Sequence, residues 1–292
     1  MVKFDNILFT TDFSRFANHA LPFAFQLAKI YNSELTMLHV IVSKKDRKNK
    51  GSDKKQVTQL KDKALTDLEK LTKNSPIDRG RIKLRTVVGS SIEEEILKFI
   101  NKNRINLTVL GTYGIGWSGP FFLGSVAERI TRHAPCAVLT ISEKTNEEID
   151  NILVPIDFSE YSKKALGLAK EIAAQFDARL SLLHVIEPGN YPSFYDIRDI
   201  NFKKMVERTK NKSPDMLKKL LRDTPGPQVE ADTHVVVGQA AYQVVKFIND
   251  YEPDLVVISS HGLSDIDYFL MGSVADKVIK RSKYPVLSLK SY

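Results

Sequence analysis

The chain of 292 residues contains a single cysteine and a single tryptophan. Cys136 alone permits no intrachain disulfide and no cysteine-rich metal site, the pattern of a reducing compartment. Nothing approaches the roughly 18 unbroken apolar residues that a membrane span needs. The opening "MVKFDNILFTTDFS" places Asp5 and Asp12 where a secretory leader would be apolar, so a cytoplasmic protein with no membrane partner is expected. There is no G-x-x-x-x-G-K-[ST] loop, no H-x-x-x-H or C-x-x-C pair and no G-x-S-x-G elbow. P-loop phosphoryl transfer, a zinc site and elbow-type hydrolysis thus lack their usual residues. Adenylyl transfer would want S-G-G-x-D-S or H-I-G-H, and "TTDFS" and "PIDFS" are neither. No catalytic residue is assigned.

Net charge is +8, and it is unevenly placed. Residues 1–145 carry 24 Lys/Arg against 14 Asp/Glu, and the remainder 19 against 21. Much of the excess lies in "KKDRKNKGSDKK" (44–55), which has no aromatic residue for base stacking. Runs of like charge repel themselves into solvated loops, so nucleic acid is not an expected partner.

What the chain does have is internal repetition. "NILFTTDFS" (6–14) recurs as "NILVPIDFS" (151–159), and "ELTMLHVI" (34–41) as "RLSLLHVI" (179–186), each displaced by 145 positions. "TVVG", ending at Gly89, answers "VVVG", ending at Gly238, and "LGSVAERI" answers "MGSVADKVI". Collinear agreement of this kind marks a duplicated domain, with repeats over 1–145 and 150–292 joined near the polar segment 142–150.

Each repeat alternates short apolar runs with amphipathic stretches. The runs fall at 7–10, 35–42, 82–88, 107–110 and 137–141, then at 152–156, 180–186, 229–237, 255–259 and 286–289. Between them, "RFANHALPFAFQLAKIY" and "YSKKALGLAKEIAAQF" return apolar residues every three or four positions. Strands buried on both faces and separated by helices predict an α/β fold. Each repeat is expected to be a Rossmann-like, five-stranded parallel sheet with helices on both faces, taking ligands at the carboxyl ends of the strands.

"GTYGIGWSGPFFLGSVAERI" (111–130) contains G-x-G-x-x-G at Gly114, Gly116 and Gly119. That match follows the fourth run rather than the first and is not kept in the second repeat, so it is not a dinucleotide fingerprint. Another spacing does survive: Gly114, nine residues, Gly124-Ser125 is matched by Gly262, nine residues, Gly272-Ser273. Gly111 would let backbone N–H groups approach a phosphate, and Ser125 opens a helix whose first N–H groups have no internal partner. Such an end favours an anion. "SVAE" and "SVAD" also read as capping boxes with the serine as cap.

These residues together resemble the universal stress protein family over nearly the whole of both repeats, as a tandem member related to adenine nucleotide alpha hydrolase folds. The resemblance implies ATP binding, with magnesium arriving on the nucleotide beside Asp12. The implied contacts are Thr10, Thr11, Asp12, Val40, Gly89, Gly111, Gly114, Gly124, Ser125 and Val126. A weaker second site would use Asp157, Val185, Gly238, Gly262, Gly272 and Ser273, since Ser259 replaces the first glycine and Asp265 and Asp267 add negative charge. It further implies a stress-responsive binding module with at most slow ATP hydrolysis; the alternative, as in the family's branch that binds no ATP, is a stress or interaction protein whose cleft is closed or differently occupied. The two repeats would pair through their fifth strands as an intrachain pseudo-dimer, and a homodimer is a further option. His39 and His184 occupy matching places in the second strands, which fits a role in the fold. His261, Asp157 and Ser273 superficially resemble a hydrolase triad, a reading that the absent elbow disfavours.

Overall fold

A computed structural model describes residues 3–43, 52–113, 123–142, 148–187, 200–261 and 271–290. The basic run 44–51, Gly114, Gly116, Trp117, Gly119, Gly262, Asp265 and Asp267 lie outside the described residues. The chain divides into two compact units, Lys3–Glu143 and Lys144–Tyr292.

In the first unit the strands are β1 (Asn6–Thr10), β2 (Glu34–Val42), β3 (Ile82–Gly89), β4 (Leu107–Gly111) and β5 (Ala137–Ile141). All pair in parallel in the order β3-β2-β1-β4-β5, with Ile7 opposite both Leu35 and Leu107. β4 and β5 are buried along their whole length, as their unbroken apolar runs require. β3 exposes Lys83 and Arg85 in alternation, charges that suit a strand with one free edge.

The helices are α1 (Arg15–Asn18), α2 (Leu21–Ile30), α3 (Ser52–Leu71), α4 (Ile92–Lys102) and α5 (Ser125–His133). Right-handed crossovers put α2 and α3 on one face of the sheet and α4 and α5, which pack on each other, on the other face. The amphipathic stretch 15–31 is two helices rather than one. Pro22 stands in the first turn of α2 and cannot donate to the carbonyl four residues back, so the chain breaks at His19–Ala20. The equivalent stretch of the second unit has no proline and is continuous.

That second unit repeats the plan with β6 (Asn151–Pro155), α6 (Glu160–Phe176), β7 (Arg179–Ile186), α7 (Ile200–Asp223), β8 (Ala231–Val237), α8 (Ala240–Tyr251), β9 (Leu255–Ser259), α9 (Ser273–Arg281) and β10 (Val286–Leu289). Its order is β8-β7-β6-β9-β10, again parallel. Lys170 of α6 is 4% exposed and donates from Nζ to the carbonyls of Leu221 at 3.1 Å and Thr224 at 2.6 Å. Its ammonium thereby satisfies carbonyls at the end of α7 that have no helical partner.

Candidate functional site

In both repeats the strand order reverses at the first strand, which opens a crevice at the carboxyl ends of the central strands. A cavity of about 490 Å³ occupies it in the first repeat and one of about 380 Å³ in the second.

The sequence "DFS" builds one wall. The Asp12 carboxylate accepts from the Ser14 N–H at 2.9 Å, and Ser14 in turn caps α1 by accepting from Ala17 N–H at 3.1 Å. Between them Phe13 takes a left-handed backbone, φ 65°, and its ring lies 4.5 Å from that of His39. The second repeat reproduces this closely: Asp157 accepts from Ser159 N–H at 2.9 Å, Phe158 has φ 64°, and its ring lies 4.7 Å from His184. Both repeats take the same uncommon backbone here, and in each the turn holds its carboxylate through the N–H two residues on.

The opposite wall is the start of α5. Gly124, not Ser125, is the N-cap, with extended backbone and no side-chain hydrogen bond, and Ser125 is already the first helical residue. The capping-box reading is therefore corrected. A capping hydroxyl must sit one position earlier, outside the helix, to reach back to the N–H groups of the first turn. Gly272 and Ser273 repeat the arrangement on α9. Both serines are exposed at helix ends that have no side-chain cap among the described residues, an arrangement with first-turn N–H groups suited to an anion.

Thr10, Thr11, Asp12, Val40, Gly111, Gly124, Ser125 and Val126 line the first cavity together. Asp157, Val185, Gly272 and Ser273 line the second. Gly89 and Gly238 are not among the residues lining either cavity: Gly89 accepts from Ser43 N–H at 3.0 Å and Gly238 donates to the Ile186 carbonyl at 3.0 Å, both beside the outer strands. Gly111 is demanded by something other than a ligand. A Cβ there would lie 2.6 Å from the Phe16 carbonyl oxygen and 2.9 Å from Ala17 Cα, so the backbone of α1 needs the missing side chain.

The electrostatics separate the two cavities. Asp12 is the one carboxylate among the described residues lining the first. The second is lined by Asp157 and by Glu187, whose Oε1 accepts from Ala240 N–H at 2.5 Å and so caps α8 from another element. Sequence reasoning missed Glu187, although its counterpart 145 positions earlier is Val42 and the contrast was legible. His261 also lines the second cavity, with Nδ1 2.9 Å from the Ser260 hydroxyl. Among the described residues no group of three or more His, Cys, Asp or Glu side chains is placed to hold a metal, and no helix is long and apolar enough to cross a membrane.

The universal stress protein family profile matches twice, over residues 3–142 and 148–290. Universal stress protein MJ0577 of Methanocaldococcus jannaschii is 32% identical over 155 residues, which take in 48% of this chain and 93% of the relative. Universal stress protein MJ0531 of the same organism is 29% identical over 139 residues, 48% of this chain and 81% of that one. A crystal structure of a universal stress protein from Archaeoglobus fulgidus matches the fold with TM-score 0.70 at 20% identity, covering 98% of both chains. Two successive matches that together take in nearly all of the sequence place the chain in the universal stress protein family, as a member with two repeats.

Proposed function

We propose that the first cavity binds an adenine nucleotide, ATP, and that the protein is a stress-response module whose binding to other molecules depends on nucleotide occupancy. The observation that carries this reading is the pairing, across one crevice, of a rigidly aimed carboxylate with an uncapped helix end. Asp12 suits ribose hydroxyls, and the start of α5 with Ser125 suits phosphate. Backbone at Val40 lies where β2 ends beside Asp12, the place for the base. Magnesium would come with the phosphates and meet Asp12.

The second cavity keeps the helix end but holds two carboxylates, which supports weaker nucleotide binding or a different occupant there. Pairing of the two repeats as a pseudo-dimer remains part of the proposal and comes from the family resemblance. Mass spectrometry of small molecules released from the purified full chain tests the reading, together with titration calorimetry. Co-purified ATP or ADP and about one ATP site per chain are expected; no uptake of ATP by the full chain would refute it.

A further inference from the structure

We infer that the Thr112 hydroxyl donates a hydrogen bond to a phosphate oxygen in the first cavity, and that this residue makes the first repeat the preferred one. The inference rests on the nucleotide reading above and names a contact that the sequence did not suggest.

Thr112 follows Gly111 at the carboxyl end of β4 and lines the cavity. Its backbone is held from both sides. The N–H donates to the Ile141 carbonyl at 2.9 Å, and the carbonyl accepts from Gly124 N–H at 2.7 Å, at the cap of α5. The side chain is thus fixed beside the helix end that favours an anion. The residue is 3% exposed, and its Oγ1 is buried with no hydrogen-bond partner among the described residues. A buried hydroxyl in that state is costly, and no group among the described residues satisfies it.

The second repeat supplies the control. Ser260 is held by the same two bonds, its N–H to the Leu289 carbonyl at 2.8 Å and its carbonyl to Gly272 N–H at 2.7 Å. Its hydroxyl, however, is paired with His261 Nδ1 at 2.9 Å. In the first repeat Tyr113 stands at the histidine position and packs its ring edge-on against Phe16, with centroids 5.9 Å apart. A tyrosine so placed offers no ring nitrogen to its neighbour. One repeat therefore satisfies this hydroxyl internally and the other leaves it for a ligand. A phosphate oxygen drawn to the N-terminus of α5 is an acceptor of the right kind in the right place.

The test uses the full chain with Thr112→Val, Thr112→Ser and Ser260→Ala, each titrated with ATP and with adenosine, alongside melting of the ligand-free proteins. Thr112→Val keeps the shape and removes the hydroxyl, so ATP affinity should fall about tenfold while adenosine affinity stays within about twofold. The free variant should melt no lower than the parent, because an unmet polar group has gone. Thr112→Ser should restore ATP affinity, and Ser260→Ala should leave it unchanged. Unaltered ATP binding by Thr112→Val, or equal loss of adenosine, would overturn the inference while leaving the nucleotide reading standing. Failure of the parent chain to bind ATP would sink both.

Discussion

His39 Nδ1 lies 2.9 Å from the carbonyl oxygen of Thr11, and because a carbonyl can only accept, that nitrogen carries the proton. The bond ties the end of β1 to β2 directly behind the turn that aims Asp12. His184 makes the same bond to the Ile156 carbonyl at 2.8 Å. His39→Leu should therefore cost about 1–2 kcal/mol, the effect of a buried carbonyl left unmet, and His184→Leu should cost a similar amount. Only His39→Leu should also weaken ATP binding. Urea denaturation and calorimetry on both variants check this; a loss of ATP affinity from His184→Leu alone would reverse the assignment.

Gly111→Ser copies the residue that the second repeat carries at that register position. In the first repeat its Cβ meets the backbone of α1, which cannot rotate away as a side chain could, so a destabilisation of about 1–3 kcal/mol is expected. Ser259→Gly should cost less, about 0.5–1 kcal/mol, through chain entropy. Equal midpoints for Gly111→Ser and the parent chain would mean that α1 shifts freely.

Ser125→Asp separates the stability of the helix from binding at its end. A carboxylate in the first turn should stabilise α5 in the free protein by about 0.3–1 kcal/mol. The same charge should oppose phosphate and lower ATP affinity at least about tenfold. Ser273→Asp should leave the high-affinity site untouched. If the two variants weaken ATP binding alike, the preference for the first repeat is wrong.

Burial holds the His234 imidazole below its ordinary value of 6.5, against the opposing pull of the Asp232 carboxylate. Its ring lies 4.9 Å from Phe247 and 5.4 Å from Tyr251. As pH falls, the unfolded chain takes up this proton before the folded one does. The stability gained from the neutral ring is complete above the unfolded value and declines as pH drops from 6.5 toward the lower folded value. Urea midpoints of the parent and His234→Phe, compared from about pH 8 to 5, should diverge on the acid side, with the variant losing less. Parallel curves would show that His234 titrates as an ordinary surface histidine.

The parallel α/β class, the duplication and part of the cavity lining were legible from apolar runs and repeated segments. The apolar runs at 107–110 and 137–141 read as buried strands, and the offset between Asp12 and Asp157 placed two equivalent turns. The reasons for individual residues were less legible. Gly111 looked like room for a phosphate, yet the atoms it makes room for belong to Phe16 and Ala17, which only the fold brings there. Ser125 matched a capping pattern, but one residue of phase decides between cap and first helical position, and periodicity does not resolve that. Thr112 carried no motif at all. Its significance lies in a partner that Ser260 has and that Thr112 lacks among the described residues.

Lys170, sealed between α6 and the end of α7, has a consequence for chemical labelling. Acylating reagents attack only an uncharged amine that they can reach, and here burial lowers the pKa of a group from which the reagent is shut out. Modification must wait until the last turn of α7 lifts away from the Leu221 and Thr224 carbonyls. The rate at which this one lysine is acylated, set against exposed Lys164 on the same helix, therefore measures how often α7 opens at its end.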